Sequence, residues 1–156
     1  MSGLALIVAV VTTGLVAGIF LGFSISVMPA LARTGDRTFV EVMQRINAAI
    51  QNPLFGLVFL GAVVSIGVAG WLHASREEMF SWILAGAVGY GLTLLITFAI
   101  NIPLNNRLDR AGPAGGLANP RSPRRAFERL WVGAHHVRTL TCVAAFGCLT
   151  LALAEL

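Results

Sequence analysis

Residues 3–32 read GLALIVAVVTTGLVAGIFLGFSISVMPALA, a run without a charged side chain. A helix crosses a bilayer with about 20 predominantly apolar residues, so this stretch has length to spare. A secretory hydrophobic region covers only about 7–15 residues behind a basic start. Nothing basic precedes this longer run, so Ala30-Leu31-Ala32 is not read as a cleavage site. Composition agrees: the 156 residues are 56% apolar and 12% charged, with a mean hydropathy of +0.80. Soluble domains carry roughly 25% charged residues. A first span is expected over residues 4–26, and on it Gly14, Gly18, Gly22 and Ser26 recur four apart. Such a row of small residues lets another backbone approach, within a bundle or in a homo-oligomer.

Outward from that run, three further apolar stretches predict spans over residues 54–72, 80–101 and 137–155. The expected architecture is all-α: a single transmembrane domain over 1–156, a four-helix bundle running up-down-up-down. Between spans one and two, Phe39, Val42, Met43, Ile46, Ala49 and Ile50 keep helical spacing while Glu41, Gln44 and Arg45 fall opposite. That pattern predicts an amphipathic interfacial helix over 39–51, stopping before Pro53. Thr38-Phe39-Val40-Glu41 fits a capping box ahead of it. Residues 106–122, rich in Arg, Gly and Pro, are expected to form a mobile loop. Ser122-Pro123 then reads as a cap and first helical position. The helix that follows outruns the membrane, and its turns through His135 lie at or outside the interface.

The formal charge is +4 and every basic residue outside the histidines is Arg. The first loop holds Arg33, Arg37 and Arg45, and the third Arg107, Arg110, Arg121, Arg124, Arg125 and Arg129. The second has only Arg76 beside Glu77 and Glu78. The asymmetry predicts a bacterial cytoplasmic membrane, loops one and three cytoplasmic and both termini on the non-cytoplasmic side. Because the charge sits in two short loops, it marks topology rather than nucleic acid. Cys142 and Cys148 fall inside the last apolar run and read as small hydrophobes.

Combining topology with the polar residues gives the candidate site. Asn47, Gln51 and Asn52 precede span two, Asn101 and Asn105 end span three, and Trp131, His135, His136 and Arg138 begin span four. All belong to one membrane face. Asn101 and Asn105, like Trp131 and His135, are four apart, and His135 and Arg138 three apart, so each helical pair shares a face. Polar groups near membrane depth are costly without partners. His73 belongs to the opposite face, and His136 is turned about 100° from His135. No zinc-type ligand cluster, phosphate-binding glycine loop or serine-nucleophile motif occurs. Bis-histidine haem is excluded by the distance of His73 from the adjacent pair His135-His136, while haem held by a single ligand is left open.

The Asn101-x-Pro103-x-Asn105 ending of span three and the Trp131…His135 or His136…Arg138-Thr139 opening of span four resemble the anthrone oxygenase-like family of small membrane proteins. The resemblance covers essentially the whole chain. In most bacteria the domain has no assigned function; fungal members oxidise anthrones to anthraquinones with dioxygen, without metal or flavin. The resemblance thus implies a four-helix membrane fold and a cofactor-independent oxygenase, whose partners are the lipid bilayer, an apolar aromatic small molecule and dioxygen. Such chemistry needs a base, donors for a developing oxyanion and an apolar slot. His135, or alternatively His136, is the expected base. Arg138, Asn101 and Asn105 are the expected oxyanion donors, and Trp131, Asn47 and Met43 the substrate contacts. The alternatives are a non-catalytic membrane protein binding a quinone or lipid, a structural partner subunit and, third, a small exporter. Against the last, no span carries an ionisable residue at its middle.

Overall fold

The computed structural model describes residues 2–156, with side chains from residue 3 onward. Helix α1 is α-helical over Ser2–Gly22, widens to a π-helical turn over Phe23–Val27, and closes over Met28–Ala32. α2 spans Asp36–Ile50 and α3 Pro53–Leu72. α4 runs through Glu77–Ile96, a π-turn at Thr97–Asn101, and Ile102–Arg110. α5 covers Arg121–Ala154, 34 residues. At about 1.5 Å per residue it exceeds a hydrocarbon core of about 30 Å, as its sequence led one to expect.

α1, α3, α4 and α5 are each long and apolar enough to cross a membrane. They form a ring in which α1 packs on α3, α3 on α4, α4 on α5 and α5 back on α1. The chain is an integral membrane four-helix bundle. Its interior gathers Leu6, Phe20, Phe59, Ile83, Tyr90 and Leu149. Leu15, Val64, Leu95 and Leu140 face outward, as they do when lipid rather than water is the solvent. α4 and α5 approach closely: a Cβ on Gly86 would meet Leu149 Cγ at 2.9 Å, and one on Gly89 the Thr141 carbonyl at 3.1 Å. The glycine row on α1 divides. Gly14 lies under the Phe146 ring at 2.8 Å from its would-be Cβ, whereas a Cβ on Gly18 or Gly22 would meet no other element within 4 Å among the described residues.

Both π-turns end just ahead of a proline, Pro29 and Pro103. A proline ring clashes with the carbonyl four residues earlier, here that of Ile25 or Ala99, and a widened turn makes room for it. Each turn shifts the register of everything beyond it, a change that apolar spacing alone does not reveal. A Ser24–Thr139 hydroxyl contact of 3.2 Å ties the first π-turn to α5.

α2 lies across the arginine-rich end of the bundle with Phe39, Val40 and Met43 buried against Leu108, Phe127 and Trp131. It begins at Asp36 after extended Gly35 and has no side-chain cap, so the expected capping box at Thr38 is not formed. Asp36 in the first turn instead opposes the positive end of the helix and pairs with Arg124 at 3.0 Å. Asn52 caps α3, accepting the Phe55 N–H at 2.9 Å ahead of Pro53.

The interval 106–122 departs from the expected mobile loop. α4 continues to Arg110, α5 starts at Arg121 after Pro120, and only a short connection remains. Arg37 donates to the carbonyls of Ala114, Gly115 and Leu117, the last two at 2.7 and 3.0 Å. Gln44 donates to those of Leu108 and Gly112, both at 3.0 Å. Arg124, expected only to mark topology, is a clasp. It donates to the carbonyls of Ala32, the last residue of α1, and of Thr34 beyond it, pairs with Glu128 at 2.7 Å, and lies 4.5 Å over the Phe39 ring. The i,i+4 spacing of Arg124 and Glu128 was the sequence signal for part of this role.

Candidate functional site

The site begins with one face of α5. Trp131, His135 and Arg138 follow helical spacing and are all buried, His135 completely. The Trp131 and His135 rings stack at 4.8 Å, inclined by 13°. Arg138 Nε–H donates to His135 Nδ1 at 3.0 Å, so the imidazole hydrogen resides on Nε2. That group donates to the main-chain carbonyl of Phe20 at 3.0 Å. His135 is thereby a neutral tautomer with both nitrogens engaged. The nitrogen lone pair of the expected base is engaged by Arg138.

Arg138 is 8% exposed. Its second contact is Nη1–H to Thr97 Oγ1 at 3.3 Å, and Thr97 passes its own hydrogen to the Thr93 carbonyl at 2.7 Å. The guanidinium carbon lies 4.3 Å above the Phe20 ring and 5.3 Å from that of Trp131, a cation–π arrangement. Among the described residues the ion pairs involve Arg45 and Arg124 alone, and no carboxylate meets Arg138. A guanidinium has five N–H donors; the hydrogen bonds to His135 and Thr97 use two.

α4 fixes the other side. Asn105 Oδ1 accepts from Trp131 Nε1 at 2.7 Å, and Asn101 Nδ2 donates to the Trp131 carbonyl at 3.2 Å. The asparagine pair therefore holds both the ring and the backbone of Trp131.

Trp131, His135, Arg138, Thr97 and Asn105 border a cavity of about 360 Å³ at the arginine-rich end of the bundle. Phe20 and Phe23 of α1, Phe55 and Phe59 of α3, Phe98 of α4 and Trp131 of α5 give it aromatic walls. Asn47 of α2, Gln51 and Asn52 just after it, Thr97, Asn105 and Arg138 contribute the polar lining. The Tyr90 hydroxyl donates to the Phe59 carbonyl at 2.8 Å, joining α4 to α3. Ile19, Leu60 and Phe98, all exposed, and the polar Gln51, Asn52 and Asn106, also exposed, mark where the cavity meets its surroundings. The volume falls in the range of roughly 300–1,000 Å³ of small-molecule sites.

Of the eight residues expected at the site, Asn47, Asn105, Trp131, His135 and Arg138 line this cavity. Three do not. His136 is exposed on the outer face of α5, because the adjacent position on a helix points elsewhere. Met43 is fully buried in the apolar layer beneath α2, so it is packing and not a slot wall. Asn101 is fully buried behind the wall, its Oδ1 without a partner. Thr97 was absent from the expected set, although it stands one helical step before Asn101 and that spacing could have found it. Phe20 was absent too, because its contribution is partly a main-chain carbonyl and leaves no trace in residue type.

A family model described as anthrone oxygenase matches residues 43–148, from within α2 to within α5. It takes in all the cavity-lining residues except those of α1. No curated protein and no solved structure matches the chain.

Proposed function

The chain belongs to the anthrone oxygenase family, and on that premise we propose that it oxidises an apolar phenolic or anthrone-type substrate with dioxygen, without a cofactor. One observation carries the reading: Arg138, with N–H donors unused by the protein, borders an aromatic-walled cavity and has no acidic partner. An anthrone is flat and apolar, and its methylene carbon is acidic because the resulting enolate is delocalised. Loss of that proton puts negative charge on oxygen, where a fixed guanidinium stabilises it. The electron-rich carbon then reduces dioxygen and forms a C–O bond, giving a hydroperoxide once a proton is returned. Loss of the remaining hydrogen on that carbon, with cleavage of O–O and release of water, leaves the quinone. Anthrone plus dioxygen thus becomes anthraquinone plus water.

His135 serves in this scheme by holding Arg138, and Asn105 by fixing Trp131 as a wall. The arginine-rich end, and with it the cavity mouth, is placed on the cytoplasmic side by the positive-inside rule. The test is oxygen uptake by the purified protein in mild detergent with an anthrone, with quinone formation followed in the visible range. Arg138→Gln should lower kcat/KM by about 10²–10³-fold, the usual consequence of losing one oxyanion donor. Uptake no faster than in protein-free detergent would refute the activity and leave a quinone or lipid binder.

A further inference from the structure

We infer that the cavity takes its ligand as an aryl oxide, a flat aromatic with one ionised oxygen, and that Arg138 rather than any side-chain base brings about the ionisation. This deepens the reading above and rests on it for the ligand class. The chain has seven Asp and Glu residues, and none lines the cavity on α1, α2, α3, α4 or α5. Two other titratable groups lie near Arg138. His135 has both nitrogens occupied, and the buried Cys142 thiol, one turn further along α5, is directed at the Thr13 carbonyl at 3.9 Å.

A guanidinium at this depth without a counter-charge is costly. A ligand anion beside the free N–H groups removes that cost, so the site binds the ionised form of an acid more tightly than the neutral form. By linkage, that differential affinity lowers the ligand's own pKa on binding. The bond that breaks is the ligand O–H, or C–H for an anthrone. The electron pair stays with the ligand, and the proton passes to water at the polar mouth formed by Gln51, Asn52 and Asn106. No side chain has to accept it.

The walls select among anions. Aromatic rings on α1, α3, α4 and α5 suit a planar ring system better than an alkyl chain. On α2, Asn47 is 3% exposed and belongs to the cavity lining, and its buried amide nitrogen has no partner among the described residues. It is suited to a second, uncharged oxygen on the ligand.

The probe is 2-naphthol, which is redox-stable under these conditions and whose anion absorbs at longer wavelength than the acid. It is titrated into the detergent-solubilised full chain at a pH about one unit below its free pKa. The expected result is growth of the anion band, corresponding to a shift of at least about two units, or roughly hundredfold preference for the anion. 2-Methoxynaphthalene, which has the same rings and no acidic proton, should bind at least tenfold more weakly. Arg138→Gln should abolish the anion band, and Arg138→Lys should retain part of it. Binding of 2-naphthol in its neutral form, or equal binding of the methoxy compound, overturns the inference. Both readouts use the wild-type chain, so they stand even if Arg138→Gln fails to fold. Binding of decanoate with no binding of 2-naphthol also overturns it, in favour of a fatty-acid site. Anthrone-dependent oxygen uptake is recorded on the same preparation. Naphtholate binding without uptake keeps the inference and removes the oxygenase, while uptake without an anion band does the reverse.

Discussion

Substituting His135 separates its two conceivable roles, as a base or as the holder of Arg138. His135→Phe keeps the ring stacked on Trp131 but removes the acceptor of Arg138 Nε–H and the donor to the Phe20 carbonyl, both at 3.0 Å. An orphaned buried group costs about 1–3 kcal/mol, more when charged, whereas interhelical hydrogen bonds in membranes average about 0.6 kcal/mol with a maximum near 1.7. The Phe20 bond belongs at the low end and the guanidinium bond at the high end, for a total of about 2–4 kcal/mol. Catalysis should fall by about 10²–10³-fold as Arg138 loses its orientation. His135→Asn keeps the acceptor in place of the ring: its Oδ1 stands where Nδ1 stood and still accepts from Arg138, yet an amide cannot act as a base. It should stay within about tenfold of the wild-type kcat, or 1.4 kcal/mol, while losing the Phe20 bond and the stack on Trp131. The assay is anthrone-dependent oxygen uptake alongside thermal unfolding in detergent. A folded His135→Asn as inactive as His135→Phe, with activity restored by added imidazole, would refute the positioning role and reinstate the base.

Other substitutions test the scaffold. Asn105→Leu and Trp131→Phe each break the 2.7 Å bond between α4 and α5. A double-mutant cycle of unfolding free energies should give a coupling of about 0.6–1.7 kcal/mol, and additive effects would show that the bond contributes nothing. Gly89→Leu must displace α5, because even a Cβ there comes within 3.1 Å of the Thr141 carbonyl; a loss of about 1–3 kcal/mol or more is expected from overpacking, read as a lowered Tm. Gly14→Leu should destabilise through Phe146, whereas Gly18→Leu, facing open space, should leave monomer stability unchanged. A change in cross-linked oligomer at Gly18→Leu alone would assign that part of the row to self-association. Arg37→Ala releases the carbonyls of Ala114, Gly115 and Leu117, so limited trypsin digestion at Arg110 and Arg121 should accelerate while the Tm changes little.

Much of the architecture was legible because a bilayer punishes unsatisfied backbone so heavily that long apolar runs have only one outcome. The charge-free run 3–32 and its three successors specified four helices, and the stripe from Phe39 to Ile50 specified the interfacial one. Element ends were less legible. Thr38 looked like a cap, but Gly35 and Asp36 started α2 one turn earlier, since helix starts depend on a few backbone groups and on the partner that Arg124 supplies. The connection after Arg110 looked free because its anchors, Arg37 and Gln44, lie far away in sequence.

At the site, sequence by itself determined which residues are polar at one end of an apolar bundle, and helical spacing then put Trp131, His135 and Arg138 on one face. Only the tertiary structure decided what those residues do. It turned His135 onto Arg138 and a main-chain carbonyl, sent His136 outward, buried Met43 in the layer beneath α2, and set Asn101 behind Trp131. The reason is physical. Spacing fixes direction around one helix axis, whereas a hydrogen bond or a cavity wall depends on the rotation and depth of neighbouring helices. Here two proline-driven π-turns reset that register, and no apolar period encodes it.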